Sequence, residues 1–585
     1  MSYKKRILFI GESSHLNTGF SNDYRNLIPR LVETGKFEIA EIGSYTRQDD
    51  KRAHDFVNGR WKWYGNMPTN EQDNATFNQP DHHPRAKGQN TNQFGYNIFD
   101  RVCAEFQPDI VVAIRDFWHD EKAERSPFRE WYKFIWKFTV DAFPQAEEWM
   151  SVYENVDVGL GYSDFGIDTI KRQSPKVKMF PKPLRPGIDL DLFKPLDRAE
   201  TREKFNLSEE PTIIGMVARN QSRKLILDLI DAFALMKNKY PEEKVQKAAL
   251  LLHSCWPDNA YSFDYPRHVK RLQSDPWMPN YRPGIMQDVL QTVKCHSCSK
   301  TSINFAANLY NKPLNNGHVV LPCPYCQQQS ATCPNTSVGY TREELVEVYN
   351  LMDIYVQSAI CEGDGMPMNE AKACGKPVIG IAYSAMKEKL EFPNYKHLEG
   401  NEDEYTMHLG GVASEPLSLR HEPETGCLRA VANVEDLADK LYDLVVNDIK
   451  RKKLGQQARE SAEKNFDWNN IVKEWEFIFD NISTKDRSDT WDSPIEITPE
   501  IAPEEVPDEL TDQQYVEWLY LNVLKYPRVD PEGLKMWLGY LGQGLSREQL
   551  MDRFVQIGNS QSDASKIRNQ IRANVKSIEP KAQEE

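Results

Sequence analysis

Two glutamates with seven residues between them, Glu362 and Glu370, frame the segment EGDGMPMNE. Gly363 and Gly365 let backbone N–H groups come close to an anion or a sugar. The helix expected to follow turns its partially positive N-terminus toward a phosphate. Glu370, in the first turn of that helix, can accept both hydroxyls of a ribose, as acidic residues do in other nucleotide-binding folds. Upstream, GMVARNQSRKLILDLIDAF places Arg219 and Lys224 at the two ends of a strand–loop–helix turn. Two cations so placed can clamp a diphosphate and neutralise the charge that builds on a departing nucleoside diphosphate. That step needs no divalent metal, and no catalytic one is expected.

A second chemistry lies in the cysteines. Of ten, four form the knuckles CHSC (Cys295, Cys298) and CPYC (Cys323, Cys326), 24 residues apart. Four thiolates in two C-x2-C pairs suit tetrahedral zinc. His296, His318 and Cys333 are alternative ligands. Four thiolates saturate the metal, so the expected role is structural. The other six cysteines, among them Cys103, Cys361 and Cys374, read as small buried hydrophobes.

These groups need a scaffold, and the pattern around them supplies one. Lys5–Gly11, Phe37–Gly43, Asp109–Ile114 and Phe134–Asp141 read as strands, with helical patterns between them, the first over Phe20–Glu33. Lys51–Gly95 interrupts this alternation with polar, aperiodic sequence and reads as a long loop, with His82 and His83 as solvated side chains. After the proline-bearing PLRPGIDLDLFKP the alternation resumes. Thr212–Val217, Ala248–His253, Ile354–Gln357 and Pro377–Ile381 read as strands, and Lys224–Lys239, Thr341–Met352, Met368–Cys374, Val434–Val446, Ile449–Lys464 and Asn469–Ile482 as helices. Strand–helix alternation predicts parallel sheets covered on both faces.

The chain has 585 residues, too many for one core. At 40% hydrophobic and 27% charged it has ordinary globular composition. Its net charge of −15 gives no general attraction to nucleic acid or anionic lipid. Binding DNA would require a local patch, for which Lys171, Arg172, Lys176, Lys178, Lys182 and Arg185 are the candidates. Much of the acidity lies in Ser483–Asp512, which has ten acidic residues against Lys485 and Arg487, and four prolines. This composition reads as a disordered linker. No apolar run approaches a membrane span, and the short run Ile7–Ile10 lacks the features of a signal peptide. A cytoplasmic protein is expected.

Over about residues 5–482 the chain resembles glycosyltransferase family 4, the large retaining GT-B family. The motifs come in order: the first strand and glycine loop from Gly11 to Gly19, the PGIDLDLF linker, R-x4-K, E-x7-E, and the Phe466–Trp468 FDW. The resemblance implies an α/β fold of two Rossmann-like domains and a nucleoside-diphosphate sugar as donor. By it, Arg219 and Lys224 hold the diphosphate, and Gly19 borders the donor. Glu362 and the loop of Gly363, Asp364, Gly365 and Met366 face the transferred sugar, and Glu370 holds the ribose. The family retains anomeric configuration without a clear enzyme nucleophile, the leaving phosphate helping to deprotonate the acceptor. Asp364 stands where the family usually has an aromatic residue. Val140–Asp141 stands where it often has histidine, which makes Asp141 a candidate catalytic contact. Asp116 and His119 also follow a strand at the expected cleft.

The implied organisation is an acceptor domain (1–190), a donor domain (191–465) with a zinc-ribbon insertion (285–338), a closing helix (466–482), the acidic linker (483–512) and an all-helical module (513–585). The module is similar to a small unit found on secreted and phage proteins, distantly like phycobilisome-linker domains, and is expected to bind a partner or self-associate. The acceptor stays open between a glycan, lipid-linked or protein acceptor and a hydroxymethylated base in DNA, as in phage GT-B enzymes. A non-enzymatic protein binding sugar nucleotide or nucleic acid is the competing class. The intact set Arg219, Lys224, Glu362 and Glu370 argues against it.

Overall fold

The computed structural model describes residues 3–78, 90–116, 121–258, 262–315, 317–334, 339–390, 406–492, 510–524, 531–555 and 557. His82, His83, His119, most of the acidic linker and the end of the helical module lie outside them.

The N-terminal half is a six-stranded parallel sheet. It contains β1 (Arg6–Glu12), β2 (Glu38–Arg47), β3 (Lys62–Met67), β4 (Ile110–Ile114), β5 (Lys133–Phe138) and β6 (Val158–Gly161), ordered β3-β2-β1-β4-β5-β6. The order reverses beside β1, and ligands bind at the carboxyl ends of strands at such a switch point. Gly11 is required there. The Tyr24 hydroxyl occupies the space a Cβ would take, donating to the Ile10 carbonyl (2.6 Å) and accepting from the Ile114 amide (2.8 Å). One ring thereby ties β1 to β4.

The segment expected as a long aperiodic loop holds β3 and two short helices, Lys51–Val57 and Glu71–Phe77. Trp61 and Trp63 carry it: both are buried, and Trp61 Nε1 donates to buried Glu41 at 2.9 Å. β3 reads KWYGNM, with Gly and Asn among its inward positions, so neither an apolar run nor a clean alternation marks it in sequence.

The second half is a mixed sheet. β7 (Ile213–Val217), β8 (Ala249–His253), β9 (Val289–Cys295), β15 (Ile354–Gln357), β16 (Val378–Ile381) and β17 (Gly411–Ser414) run parallel. Around β9 the ladder turns antiparallel through β10 (Thr301–Phe305) and β14 (Gln329–Thr332), with β13 (Leu321–Pro322) outermost. β11 (Leu314–Asn315) and β12 (His318–Val319) form a separate ladder, as do β18 (Ser418–His421) and β19 (Leu428–Val431). β9 serves both parts. Val289–Gln291 pair with β8, and the strand continues to the first cysteine knuckle, so the knuckles extend the second sheet itself.

Two strands of chain join the halves side by side. The Ile188 amide donates to the Phe466 carbonyl at 2.6 Å, and Gly187 leaves room for the Trp468 ring. The Trp468–Asn481 helix then packs its Ile471, Trp475 and Phe479 face on Phe9, Leu27 and Leu31. Lys5 Nζ donates to the terminal carbonyls of Phe479 (2.7 Å) and Ile482 (2.9 Å), where a cation suits the helix dipole.

The first part of the expected linker is ordered against the N-terminal half. Trp491 is buried on Phe128 and Trp131, and its Nε1 donates to the Pro108 carbonyl at 3.0 Å. Among the described residues of the tail, Asp512–Trp518 and Pro531–Gly542 are helical, and Tyr515, Leu519, Leu550 and Phe554 share a small core.

Candidate active site

The carboxyl ends of the two sheets face each other, and the glutamate loop lies between them. A Cβ on Gly363 would come within 2.8 Å of Thr139 at the end of β5. Met366 meets Gly19 and Asn22 at the start of the Gly19–Glu33 helix, with Asn22 Nδ2 3.6 Å from its sulfur. Gly365 takes the left-handed conformation (φ 81°) that lets the Met366–Ala373 helix begin. Gly19, Gly363, Gly365 and Met366 therefore lie where both halves converge.

At the centre, Glu362 is buried and held by three groups. Lys224 Nζ donates to Oε1, Gln357 Nε2 donates to the same oxygen at 2.6 Å, and Arg223 approaches Oε2 at 3.3 Å. Burial alone would raise the Glu362 carboxyl, but Lys224 and Arg223 outweigh it and hold the carboxyl below its ordinary value. Burial lowers the Lys224 ammonium, and Glu362 opposes that shift.

A left-handed non-glycine residue stands on either side of this group. Ser384 (φ 50°) accepts from the Glu362 amide at 2.9 Å and donates to its carbonyl at 3.1 Å. Leu225 (φ 50°) follows Lys224, and Ser358 Oγ donates to the Lys224 carbonyl at 2.9 Å. A non-glycine residue in the left-handed region costs on the order of 1–3 kcal/mol and persists where its surroundings over-determine it.

Glu370 lies one helical turn along, accepting from the Tyr349 hydroxyl at 2.6 Å. Burial raises its carboxyl, with Tyr349 and Arg342 opposing.

Three expected roles look different in three dimensions. Arg219, half-exposed, is bound bidentately by Asp258 at 2.8 and 2.9 Å, and Arg223 takes the place beside Glu362. Asp364 turns inward. It is buried, its Oδ1 pairs with Lys389 at 2.8 Å, and Oδ2 accepts from Asn369 at 2.8 Å. It braces the loop from behind, because a buried carboxylate must be paired. Asp141 accepts from Arg429 of β19 at 2.8 Å and from the Cys361 thiol at 3.2 Å, bridging the two halves. Asp116 follows β4, and its charge, like that of Asp141, acts on the buried Tyr153 hydroxyl. Of the basic candidates for a DNA-binding patch, Lys182 pairs with Glu474 at 3.0 Å, and Arg185 with Asp164 at 3.0 Å and Glu388 at 3.2 Å.

Sequence reading missed Arg223, Gln357, Tyr349 and Arg429. Only Arg223, next to Lys224, had a local signal.

Glu388 is a further bridge, accepting from the Phe165 amide at 2.6 Å as well as from Arg185. Burial pushes its carboxyl up to about 7, against the pull of Arg185. Folded protein thus takes a proton here between pH 4.5 and about 7, where the unfolded chain does not. The contribution of this group to stability therefore falls as pH rises through that window. Glu388→Gln is expected to flatten the dependence, read as the difference in unfolding temperature between about pH 5 and about pH 8. An unchanged difference contradicts the assignment.

Away from the cleft, the sulfurs of Cys295, Cys298, Cys323 and Cys326 lie within 4.8 Å of one another. Cys295–Cys326 and Cys298–Cys323 separations are 3.6 and 3.7 Å. A tetrahedral ion with bonds of about 2.3 Å sets sulfurs about 3.8 Å apart, so the cluster fits a metal. Among the described residues no helix is long and apolar enough to cross a membrane.

Residues 336–391, which hold the Glu362–Glu370 loop, match the family described as glycosyl transferases group 1. Residues 503–561 match a domain of unknown function, DUF4214. No curated protein matches the chain. Among solved structures the chain is similar to a sucrose-phosphate synthase from Thermosynechococcus elongatus, at 15% identity and TM-score 0.53, over 82% of this chain and 98% of that one. It is also similar to HepE of Anabaena in complex with UDP and glucose, at 12% identity and TM-score 0.51, over 82% of this chain and 100% of that one. At these identities the likeness is one of fold. The matched segment supplies the activity class, and the chain is a glycosyltransferase on the two-domain GT-B plan.

Proposed function

We propose that the protein moves a sugar from a nucleoside-diphosphate sugar to an acceptor hydroxyl with retention of anomeric configuration. The observation that carries this reading is the buried group of Lys224, Arg223 and Gln357 on Glu362, at the meeting of the two sheets. The Anabaena neighbour, described in complex with UDP and glucose, supports a nucleotide-sugar donor.

In this reading Lys224 and Arg219 take the diphosphate, with Arg223 beside them. Glu370 accepts the ribose hydroxyls. Glu362 and the backbone from Gly363 to Met366 hold the transferred sugar. The bond from the anomeric carbon to the diphosphate breaks with its electron pair leaving on phosphate, where the cations stabilise it. The acceptor oxygen bonds to that carbon on the same face, and its proton passes to the departing phosphate. Asp141 is the candidate residue for orienting the acceptor hydroxyl.

The Cys295, Cys298, Cys323 and Cys326 cluster is proposed to hold a structural zinc ion, and the helical module (513–585) to bind a partner or self-associate.

The test is release of nucleoside diphosphate across a panel of nucleotide sugars. Glu370→Ala is expected to weaken donor binding roughly tenfold or more, the usual cost of losing hydrogen bonds to a charged group. Donor affinity unchanged in that variant, by calorimetric titration with UDP, would remove Glu370 from its role.

A further inference from the structure

A cavity of about 680 Å³ opens between the two halves, lined by Phe143 and Phe165 of one and Tyr383 and Leu428 of the other. We propose that it is the acceptor site and that it takes an uncharged saccharide, held by an apolar ring face. The assignment rests on the sugar-transfer reading and names the acceptor for it.

Position is the first argument. Phe143, on the cavity wall, lies two residues past Asp141, and Leu428 precedes Arg429. Ser384, also on the wall, is the side chain that bonds both the amide and the carbonyl of Glu362. The inner end of the cavity therefore abuts the loop proposed to hold the transferred sugar. Its volume falls within the roughly 300–1,000 Å³ typical of small-molecule sites.

The lining gives the chemistry. Phe165 of one half and Tyr383 of the other meet edge to face at 5.8 Å, closing an aromatic seam across the domain boundary. Phe143 and Leu419 stay 38% and 43% exposed at the same cavity. Apolar surface left open beside a reaction centre is suited to a ligand with an apolar face. A pyranose has such a face on its C–H side, with hydroxyls around its edge.

Charge excludes a polyanion. Asp164, Asp168, Glu388 and Glu415 contribute carboxylates, against Arg172, Arg185 and Lys387. Arg185 is already engaged by Asp164 and Glu388. Nucleic-acid binding depends on cations that neutralise several phosphates, and this wall has none in excess. Asp168 and Arg172, both exposed at the cavity, are suited instead to hydroxyl groups.

The experiment uses the full chain with UDP present. Phenyl glycosides of glucose, galactose and N-acetylglucosamine are titrated calorimetrically, with a hydroxymethylcytosine oligonucleotide as the polyanionic probe. At least one glycoside is expected to bind. Phe143→Ala and Leu419→Asp are expected to weaken it at least tenfold, with folding checked by thermal unfolding. No glycoside binding, unchanged affinity in both variants, or tighter binding of the oligonucleotide would each overturn the proposal. Wild-type protein that hydrolyses no nucleotide sugar would instead overturn the transfer reading. Intact hydrolysis with either glycoside failure removes only the acceptor site.

Discussion

Lys224→Ala will lower the rate of nucleoside-diphosphate release by about 10²–10³, the usual loss when one preorganised donor to a developing negative charge is removed. Lys224 is buried, so its charge acts where water screens little. In the free protein its partner is Glu362, and in the proposed reaction its partner becomes the departing diphosphate. The substitution also leaves Glu362 buried with Arg223 as its remaining cation, and breaking a buried pair costs about 3–5 kcal/mol. A stability loss could mimic a catalytic one, so the rate is measured on protein shown to be folded, at saturating donor. Lys224→Ala combined with Glu362→Gln checks the stability part, because glutamine removes the unpaired charge. The double variant should regain the stability that Lys224→Ala loses. A folded Lys224→Ala protein within threefold of wild type would remove Lys224 from the chemistry.

Cys323→Ser will release metal and lower the unfolding temperature by roughly 10 °C, an estimate from the loss of a few kcal/mol in a unit of this size. Cys295 and Cys323 are fully buried and belong to the same core as Val293, Val319, Leu321 and Ala331. The knuckles close the β9–β10 and β13–β14 hairpins, and the second of these has strands of only two and four residues. Metal binding in such a segment is folding free energy. Elemental analysis of the wild type should give one zinc per chain, and a strong chelator should reproduce the effect of the substitution. Wild-type protein purified without metal, or a variant with the same unfolding temperature, would end the structural-zinc proposal.

The elements themselves were legible because their periods are local. Ile7–Ile10, Val111–Ile114 and Leu250–Leu252 are apolar without interruption, as strands covered on both faces must be, and all are buried. β3 escaped because KWYGNM holds no apolar run, and its burial depends on Trp61 and Trp63 reaching Glu41 and Ser13. The start of the acidic segment was misread for a similar reason. Its composition is that of a linker, yet a single tryptophan, Trp491, finds a socket between Phe128 and Trp131.

By itself the sequence determined the alternation of strands and helices, the paired cysteine knuckles and the glutamate loop with its glycines. Each of these depends on spacing within one short segment. Only the tertiary structure decided which cation meets Glu362, that Asp364 points inward to Lys389, and that Asp141 is held by Arg429 from 288 residues away. The physical reason is that a buried charge takes whichever partner the packing brings to it, and that partner's distance along the chain has no bearing on the energy.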